Sequence, residues 1–381
     1  MPGPQPRTRN KPSARRRLEP MEARPSARAP VARGVFGDSQ SSKGSAFPPA
    51  PHTLAPKHAS GVVPRPTAEA EADGAVLVTG ICGRLGKLLA RELHRSEPVV
   101  GVDRRPFEGR PKDIVHHQVD MRRKKMKDIF RGRGIRAVIH LGALHDPRRS
   151  ARERHSWNIV AFQKLLEYME QYEVPKLVVL SGANVYGPQP NNPQFMTEDA
   201  PLLGAQHFGG MRDLVELDML AQSFFWKHAT TETVVLRPCH IVGRVHNAAS
   251  NYLRLERPVM IMGFDPMMQL VHEKDVVRAI QLALRPGVRG IFNLRGPGEM
   301  PLSHYVRQAG GRPRVLPSPL ARVALDQLWR LRLSSFPSQE LDHLRYVCMV
   351  DDSRAREELG YVPVFSIERA LRDLGRVRYL V

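Results

Sequence analysis

The 381-residue chain carries only three cysteines, Cys82, Cys239 and Cys348, odd in number and far apart. That excludes a disulfide scaffold, fits a reducing compartment such as the cytoplasm, and offers no metal-ligand spacing. No run of about 18 apolar residues occurs, which excludes a transmembrane helix. Aromatics are scarce at 6%, and no aromatic platform or nucleic-acid motif accompanies the basic residues, which argues against sequence-specific DNA or RNA reading. Disorder throughout is excluded as well, because 41% of the residues are apolar and can build a core.

Positive charge is what the chain has in abundance: 58 Lys and Arg against 38 Asp and Glu, a net +20. Its placement is uneven. Residues 1–73 hold 13 of the 33 prolines, two aromatics (Phe36 and Phe47) and twelve basic against six acidic side chains. No period of 3.6 or 2 runs through them, so a disordered basic tail is expected. Such a tail is passive, meets an acidic partner, nucleic acid or anionic lipid, or serves targeting; its prolines oppose the amphipathic helix of a transit peptide. A second methionine, Met21, leaves the start open. Residues 122–136, RRKKMKDIFRGRGIR, add eight basic groups and one acid. They read as a solvated helix between two strands, or as a patch for an acidic partner.

From Ala75 onward, short apolar runs alternate with longer amphipathic ones. Strands are expected at 75–79, 98–103, 114–120, 137–141, 176–181 and 232–238. Helices are expected at 84–94, 124–130, 151–172 and 210–228. This rhythm argues for an α/β fold with a doubly wound parallel sheet covered by helices on both faces. Beyond 240 it becomes irregular, with strands at 269–273 and 290–294, a helix at 275–284 and a helical C-terminal stretch. Domain limits of 74–240 for a dinucleotide-binding domain and 241–381 for a smaller substrate lobe follow, with some lobe elements returning to complete the first domain.

The first strand runs into Thr79-Gly80-Ile81-Cys82-Gly83-Arg84-Leu85-Gly86. Three glycines spaced G-x-x-G-x-x-G between a strand and a helix suit a turn whose backbone N–H groups meet a pyrophosphate. The helix beginning at Arg84 aims its N-terminal donors at the anion. Asp103, at the tip of the second strand, lies 23 residues after Gly80. A carboxylate there accepts from both adenosine ribose hydroxyls and repels a 2′-phosphate, so NAD is favoured over NADP. Arg104 and Arg105 follow at once and soften that preference. A tight turn in a nucleotide-free domain is the competing reading.

Together with these segments, Asp120-Met121, His140-Leu141-Gly142-Ala143, Asn158, Val185-Tyr186-Gly187, Leu236-Arg237-Pro238, His272-Glu273-Lys274-Asp275-Val276 and Leu359-Gly360-Tyr361 make the chain resemble a known family. It resembles the extended short-chain dehydrogenase/reductases, the NAD-dependent epimerase/dehydratase group, over roughly residues 75–375. The resemblance implies a Rossmann-type fold with a C-terminal substrate lobe, NAD as cofactor and a nucleotide-sugar or similar polyol as small-molecule substrate. It implies cofactor contacts at Gly80, Gly83, Arg84, Leu85, Gly86, Asp103, Asp120, Met121, Leu141, Gly142, Ala143 and Arg212. It also implies a homodimer through helices 151–172 and 210–228.

The chemistry positions depart from the family's pattern. The family uses a Ser or Thr four residues before the V-Y-G tyrosine, and a Tyr-x-x-x-Lys about 22 residues beyond it. Those positions are Gly182, Phe208 and Arg212. Phe208 has no proton to exchange, and an arginine guanidinium, which does not give up its proton in proteins, is no relay. Ala183 and Asn184 stand where dehydratases place Asp and Glu. His207 is a candidate replacement base, although a neighbouring helical residue points about 100° away. His240 is a candidate substrate contact, Tyr186 reads as a packing element, and Cys82 as a small residue in the turn. Two functions compete: an isomerase or oxidoreductase with unconventional proton transfer, and a non-catalytic NAD-binding sensor or scaffold. A third, an anionic-surface or nucleic-acid binder, would use the tail and residues 122–136.

Overall fold

The computed structural model describes residues 74–374 apart from 133, 144–147, 207–208 and 332–337, together with Gly3. The tail expected over residues 1–73 (Gly3 aside) and the candidates His207 and Phe208 lie outside the described residues. The described residues from Gly74 onward belong to one compact unit.

The chain first lays down β1 (Ala75–Thr79), α1 (Arg84–Leu93), β2 (Val99–Asp103), β3 (Val115–Gln118), α2 (Lys125–Gly132) and β4 (Ile135–His140). Next come α3 (Ala151–His155), a π-helical turn (Ser156–Val160) and α4 (Ala161–Gln171), then β5 (Lys176–Leu180), α5 (Arg212–Lys227) and β6 (Glu232–Pro238). Each strand and helix of this half lies within about two residues of the expected one. All five residues of β1 and of β2 are buried, as strands of a parallel sheet covered on both faces require.

Beyond β6 lie β7 (His240–Val242), α6 (Ala248–Arg254), β8 (Val259–Ile261), β9 (Met267–Met268), β10 (Leu270–His272), α7 (Glu273–Ala283) and β11 (Gly290–Leu294). The chain continues through β12 (Met300–Pro301), α8 (Leu302–Gln308), β13 (Arg314–Leu316), α9 (Ser318–Arg330), α10 (Ser353–Glu357) and α11 (Ile367–Asp373). Helix α7 starts two residues earlier than expected, because His272 accepts the Lys274 amide at Nδ1 (3.2 Å) and caps it.

Seven strands form one sheet in the order β11-β6-β5-β4-β1-β2-β3, every pairing parallel. The chain leaves β1 in one direction for β2 and β3, then returns to the other side for β4. A crevice therefore opens at the carboxyl ends of β1 and β4, where ligands bind in doubly wound sheets. There Thr79 pairs with His140 in register, and their side chains bond at 2.8 Å.

Alternation along β1 separates two cores. Val76 and Val78 face α1 and α7 through Leu89, Ala90 and Ile280. Ala75 and Leu77 face the opposite layer with Phe162, Leu165 and Leu217. A third core, including Tyr252, Leu270, Tyr305 and Leu371, belongs to the C-terminal lobe. Strand β11 of the lobe's sequence joins the large sheet beside β6, and α7 packs on that sheet.

Arg237 on β6 is fully buried and donates to both oxygens of buried Asp218 on α5, at 3.0 and 2.7 Å. Its remaining nitrogen donates to the Tyr186 hydroxyl (2.8 Å) and the Glu198 carbonyl (2.9 Å). Tyr186 in turn donates to Asn293 on β11, and Ser181 donates to Asp218 at 2.6 Å. Burial pulls the Arg237 pKa down, but the bonds to Asp218 outweigh it and hold the guanidinium charged. Removing one partner strands a buried charge. We therefore expect Asp218→Ala to cost about 3–5 kcal/mol by urea denaturation, and the double change Arg237→Met with Asp218→Leu to cost less than Asp218→Ala alone.

Candidate functional site

The turn after β1 is closed by contact with backbone. Gly80 has φ +72°, and a Cβ there would stand 2.8 Å from the Gly142 Cα. At Gly86 a Cβ would meet the Gly80 carbonyl at 2.6 Å, so α1 packs directly onto the turn. Gly83 caps α1 without a side-chain hydrogen bond, and no acid lies in the first turn. The first amides of α1 thus have no side-chain cap, and the positive end of the helix dipole lies at this turn. A cradle this tight, ending in uncapped donors, fits the pyrophosphate of a dinucleotide.

A cavity of about 610 Å³ opens from this turn. Its walls include Gly80, Gly83, Arg84, Leu85, Gly86, Leu141 and Ala143, seven of the expected cofactor contacts. It continues past Asn158, Ser181 and Gly182 to His240 and the lobe residues Tyr252, Tyr305, Glu340 and His343. The Arg84 guanidinium pairs with Glu273 at 2.8 Å, which leaves mainly its backbone to the turn. Asn158 is buried within the π-helical turn, where one extra residue per turn shifts the helix face.

Asp103, Asp120, Met121 and Gly142 are not on this wall. Asp103 is buried: its oxygens accept the Cys82 amide (3.1 Å) and three bonds from Arg105, through the backbone N, Nε and Nη2 at 3.0–3.1 Å. Burial raises the Asp103 carboxyl, but the Arg105 bonds overcome it and leave the pKa below the ordinary value. Asp120 repeats the device two residues ahead of Arg122, with a 2.6 Å pair. The Trp157 ring lies under both Arg104 and Arg122, at 4.6 and 4.2 Å. Met121 and Gly142 are neighbours beneath the turn.

Arg212 is exposed and off the cavity wall, while Met211 and Asp213 line it. The cause is helix phase: a 3₁₀ turn at Gly209–Met211 precedes α5, and one residue of shift swings a side chain by about 100°. Gly182 is extended, and a Cβ there would have only the Pro238 carbonyl nearby, at 3.8 Å. Packing leaves room for a hydroxyl that the chain does not have. Ser181 is bound to Asp218, and the Tyr186 hydroxyl, pushed up to about 12 chiefly by burial, lies in the Arg237 network. Cys82 is pushed up to about 11, first by burial and then by Asp103. It stays protonated and donates to the Arg105 carbonyl at 3.3 Å, which suits a packing residue.

Sequence reasoning missed Glu340 and His343. Both come from the 3₁₀ turn Ser338–Leu344, far along the chain from the glycine turn, and no local pattern marks them. The His343 ring meets the His240 ring edge to face at 5.9 Å. Burial pushes His240 down to about 4, and burial with His240 nearby pushes His343 to about 3. Burial raises Glu340 to about 7. The lobe end of the cavity thus presents two imidazoles that burial biases toward the neutral form and a carboxyl that burial makes hold its proton more tightly than usual.

Comparison with known proteins agrees with this geometry. Residues 76–294 match the NAD dependent epimerase/dehydratase family. An uncharacterised protein of Mycobacterium tuberculosis is 26% identical over 317 residues, spanning 80% of this chain and 84% of the relative. The UDP-glucuronate 4-epimerase of Thermodesulfobacterium geofontis is 26% identical over 331 residues, spanning 78% and 94%. The crystal structure of the Thermotoga maritima UDP-glucose 4-epimerase with UDP-glucose superposes with TM-score 0.62 at 20% identity, covering 79% of this chain and 97% of that one. A likeness at that identity shows the fold.

The His240 titration has a measurable sign. Its folded pKa of about 4 lies below the ordinary 6.5, so the unfolded chain binds the extra proton first as pH falls. This contribution is fully present above about pH 6.5 and is lost as pH drops toward 4. We expect His240→Phe to gain stability relative to wild type between pH 7.5 and pH 5. Urea denaturation at the two pH values measures it, and an unchanged difference would contradict the half-buried, neutral imidazole.

Proposed function

The chain belongs to the NAD dependent epimerase/dehydratase family, and from that premise we propose that it binds NAD(H) together with a nucleotide-sugar or similar polyol in one cavity. The observation that carries this reading is the continuity of that cavity from the glycine turn to the lobe. The turn would hold the pyrophosphate through the α1 amides. Asp103 and Asp120 would face the adenosine half, and Leu141 and Ala143 would line the path toward the nicotinamide. The dinucleotide would supply a hydride acceptor. Helix α5 and the lobe residues Tyr252 and His343 would enclose the sugar and exclude water.

The family's usual proton route is closed in this chain. Gly182 carries no hydroxyl, Phe208 carries no phenol, and Arg212 is exposed. The cavity wall carries groups able to exchange a proton with a sugar hydroxyl, among them His240, His343 and Glu340 at the lobe end, together with His246 and Asp213. A second reading, a non-catalytic NAD-binding sensor or scaffold, is favoured by Gly182 specifically, because packing does not forbid the missing hydroxyl. Homodimerisation through α4 and α5 and a cytoplasmic location remain part of the proposal.

Two measurements test it. Calorimetry should find NADH bound more tightly than NADPH, since Asp103 repels a 2′-phosphate. Arg105→Ala should widen that ratio about tenfold by freeing the carboxylate; a narrower ratio would reverse the assignment of Arg105. Wild-type protein should epimerise UDP-glucose or UDP-glucuronate far below about 1 s⁻¹, and Gly182→Ser with Phe208→Tyr and Arg212→Lys should raise the rate about a hundredfold or more. Ordinary turnover by the wild type would sink the closed-route reading while leaving the binding reading intact.

A further inference from the structure

One ion pair joins the glycine turn to the lobe. Arg84, the first residue of α1, donates Nε and Nη2 to the Glu273 carboxylate at 2.8–3.3 Å. Glu273 is 2% exposed and opens α7, where the helix dipole favours an anion. The lobe builds its seat. Gly243, just past β7, has φ +121°, and a Cβ there would stand 2.9 Å from the Glu273 Cγ. Arg254 on α6 holds that segment by donating Nη2 to the Gly243 and Val245 carbonyls at 2.7 and 2.8 Å. The backbone is thus fitted around this carboxylate, which stands as a fixed anion beside the turn.

A pyrophosphate brings two negative charges to the same place. Among the described residues, the cavity wall carries two guanidinium groups, Arg84 and Arg154, and both face acids. Arg84 faces Glu273, and Arg154 lies 4.0 Å from Asp213. Arg105, close to Gly83, is bound to Asp103. A phosphate at the turn therefore meets backbone amides, while the arginine of the turn already holds a carboxylate. A fixed anion repels such a ligand, and a paired cation attracts it less than a free one.

We propose that Glu273 is a positioning residue that lowers the affinity for NAD(H) by withholding the Arg84 charge from the pyrophosphate, so that the dinucleotide stays exchangeable. The inference rests on the cofactor reading above. It assigns opposite effects to the two halves of one ion pair. Loss of Glu273 frees a cation beside the phosphates, and loss of Arg84 leaves an uncompensated carboxylate there. Glu273 is seated by the ends of β7 and α6, which also supply His240 and Tyr252 to the cavity, so the lobe sets the affinity of the turn.

The test is calorimetry of NADH with the full-length protein. Glu273→Gln should tighten binding about fivefold or more, and Arg84→Gln should weaken it about tenfold or more. Arg84→Gln with Glu273→Gln, which removes both charges, should return to within about threefold of wild type. ADP-ribose, which carries the pyrophosphate, should follow the same order, whereas adenosine, which lacks it, should bind all four proteins alike. Weaker NADH binding in every variant, with lowered melting temperatures, would make the pair merely structural and overturns the proposal. Equal weakening in Arg84→Gln and the double variant overturns it too, by making Arg84 a direct phosphate ligand. Glu273→Gln and the double variant carry the test if Arg84→Gln does not fold. Wild-type protein that binds no NADH overturns the cofactor reading and this inference with it. Wild-type binding that Glu273→Gln leaves unchanged overturns this inference alone.

Discussion

The fully buried ion pair between Arg237 and Asp218 is the interaction on which this architecture turns. It joins β6 to α5, and its satellites Tyr186, Asn293, Ser181 and Glu198 bring in the end of β5, strand β11 and the loop before α5. Two charges inside a protein survive only when every remaining donor and acceptor finds a partner. That requirement fixes how the carboxyl ends of β5, β6 and β11 meet. The floor of the cavity at Gly182 and Pro238 is set by the same geometry.

The network also bears on chemistry. Ser181 and Tyr186 are the hydroxyl side chains flanking Gly182, and both hydroxyls are committed to the buried pair. Neither is available to orient a sugar oxygen. Position 182, where a hydroxyl would face the cavity, is glycine without a packing reason for it. Titratable side chains on the cavity wall include His240, and Glu340 and His343 on the 3₁₀ turn at the lobe end, besides Asp213 and His246. The tight glycine turn is present, while positions 182, 208 and 212 carry glycine, phenylalanine and arginine.

A related rule governs two acids at or just past the ends of β2 and β3. Asp103 and Asp120 are each paired with an arginine two residues later. A partly buried carboxylate is held charged by a counter-charge, and a guanidinium two residues away reaches it at little entropic cost. The +20 of the chain therefore includes arginines bound to particular carboxylates and others, such as Arg322 and Arg330 of α9, that are exposed.

The sequence by itself determined the doubly wound half. Continuous apolar runs can only be buried strands, amphipathic runs can only be helices covering them, and Gly80 and Gly86 stand where backbone meets backbone. The short strands β7, β8, β9, β12 and β13 were not legible, because two or three residues carry no periodicity. Arg212 fell off the cavity wall because a 3₁₀ turn sets the phase of α5, and residue spacing does not encode that phase. Pairing between His240 and His343, and the gathering of Glu340 into the same cavity, were decided by tertiary structure alone. Residues a hundred positions apart become neighbours only when the lobe core closes, and nothing local in the chain records where it will close.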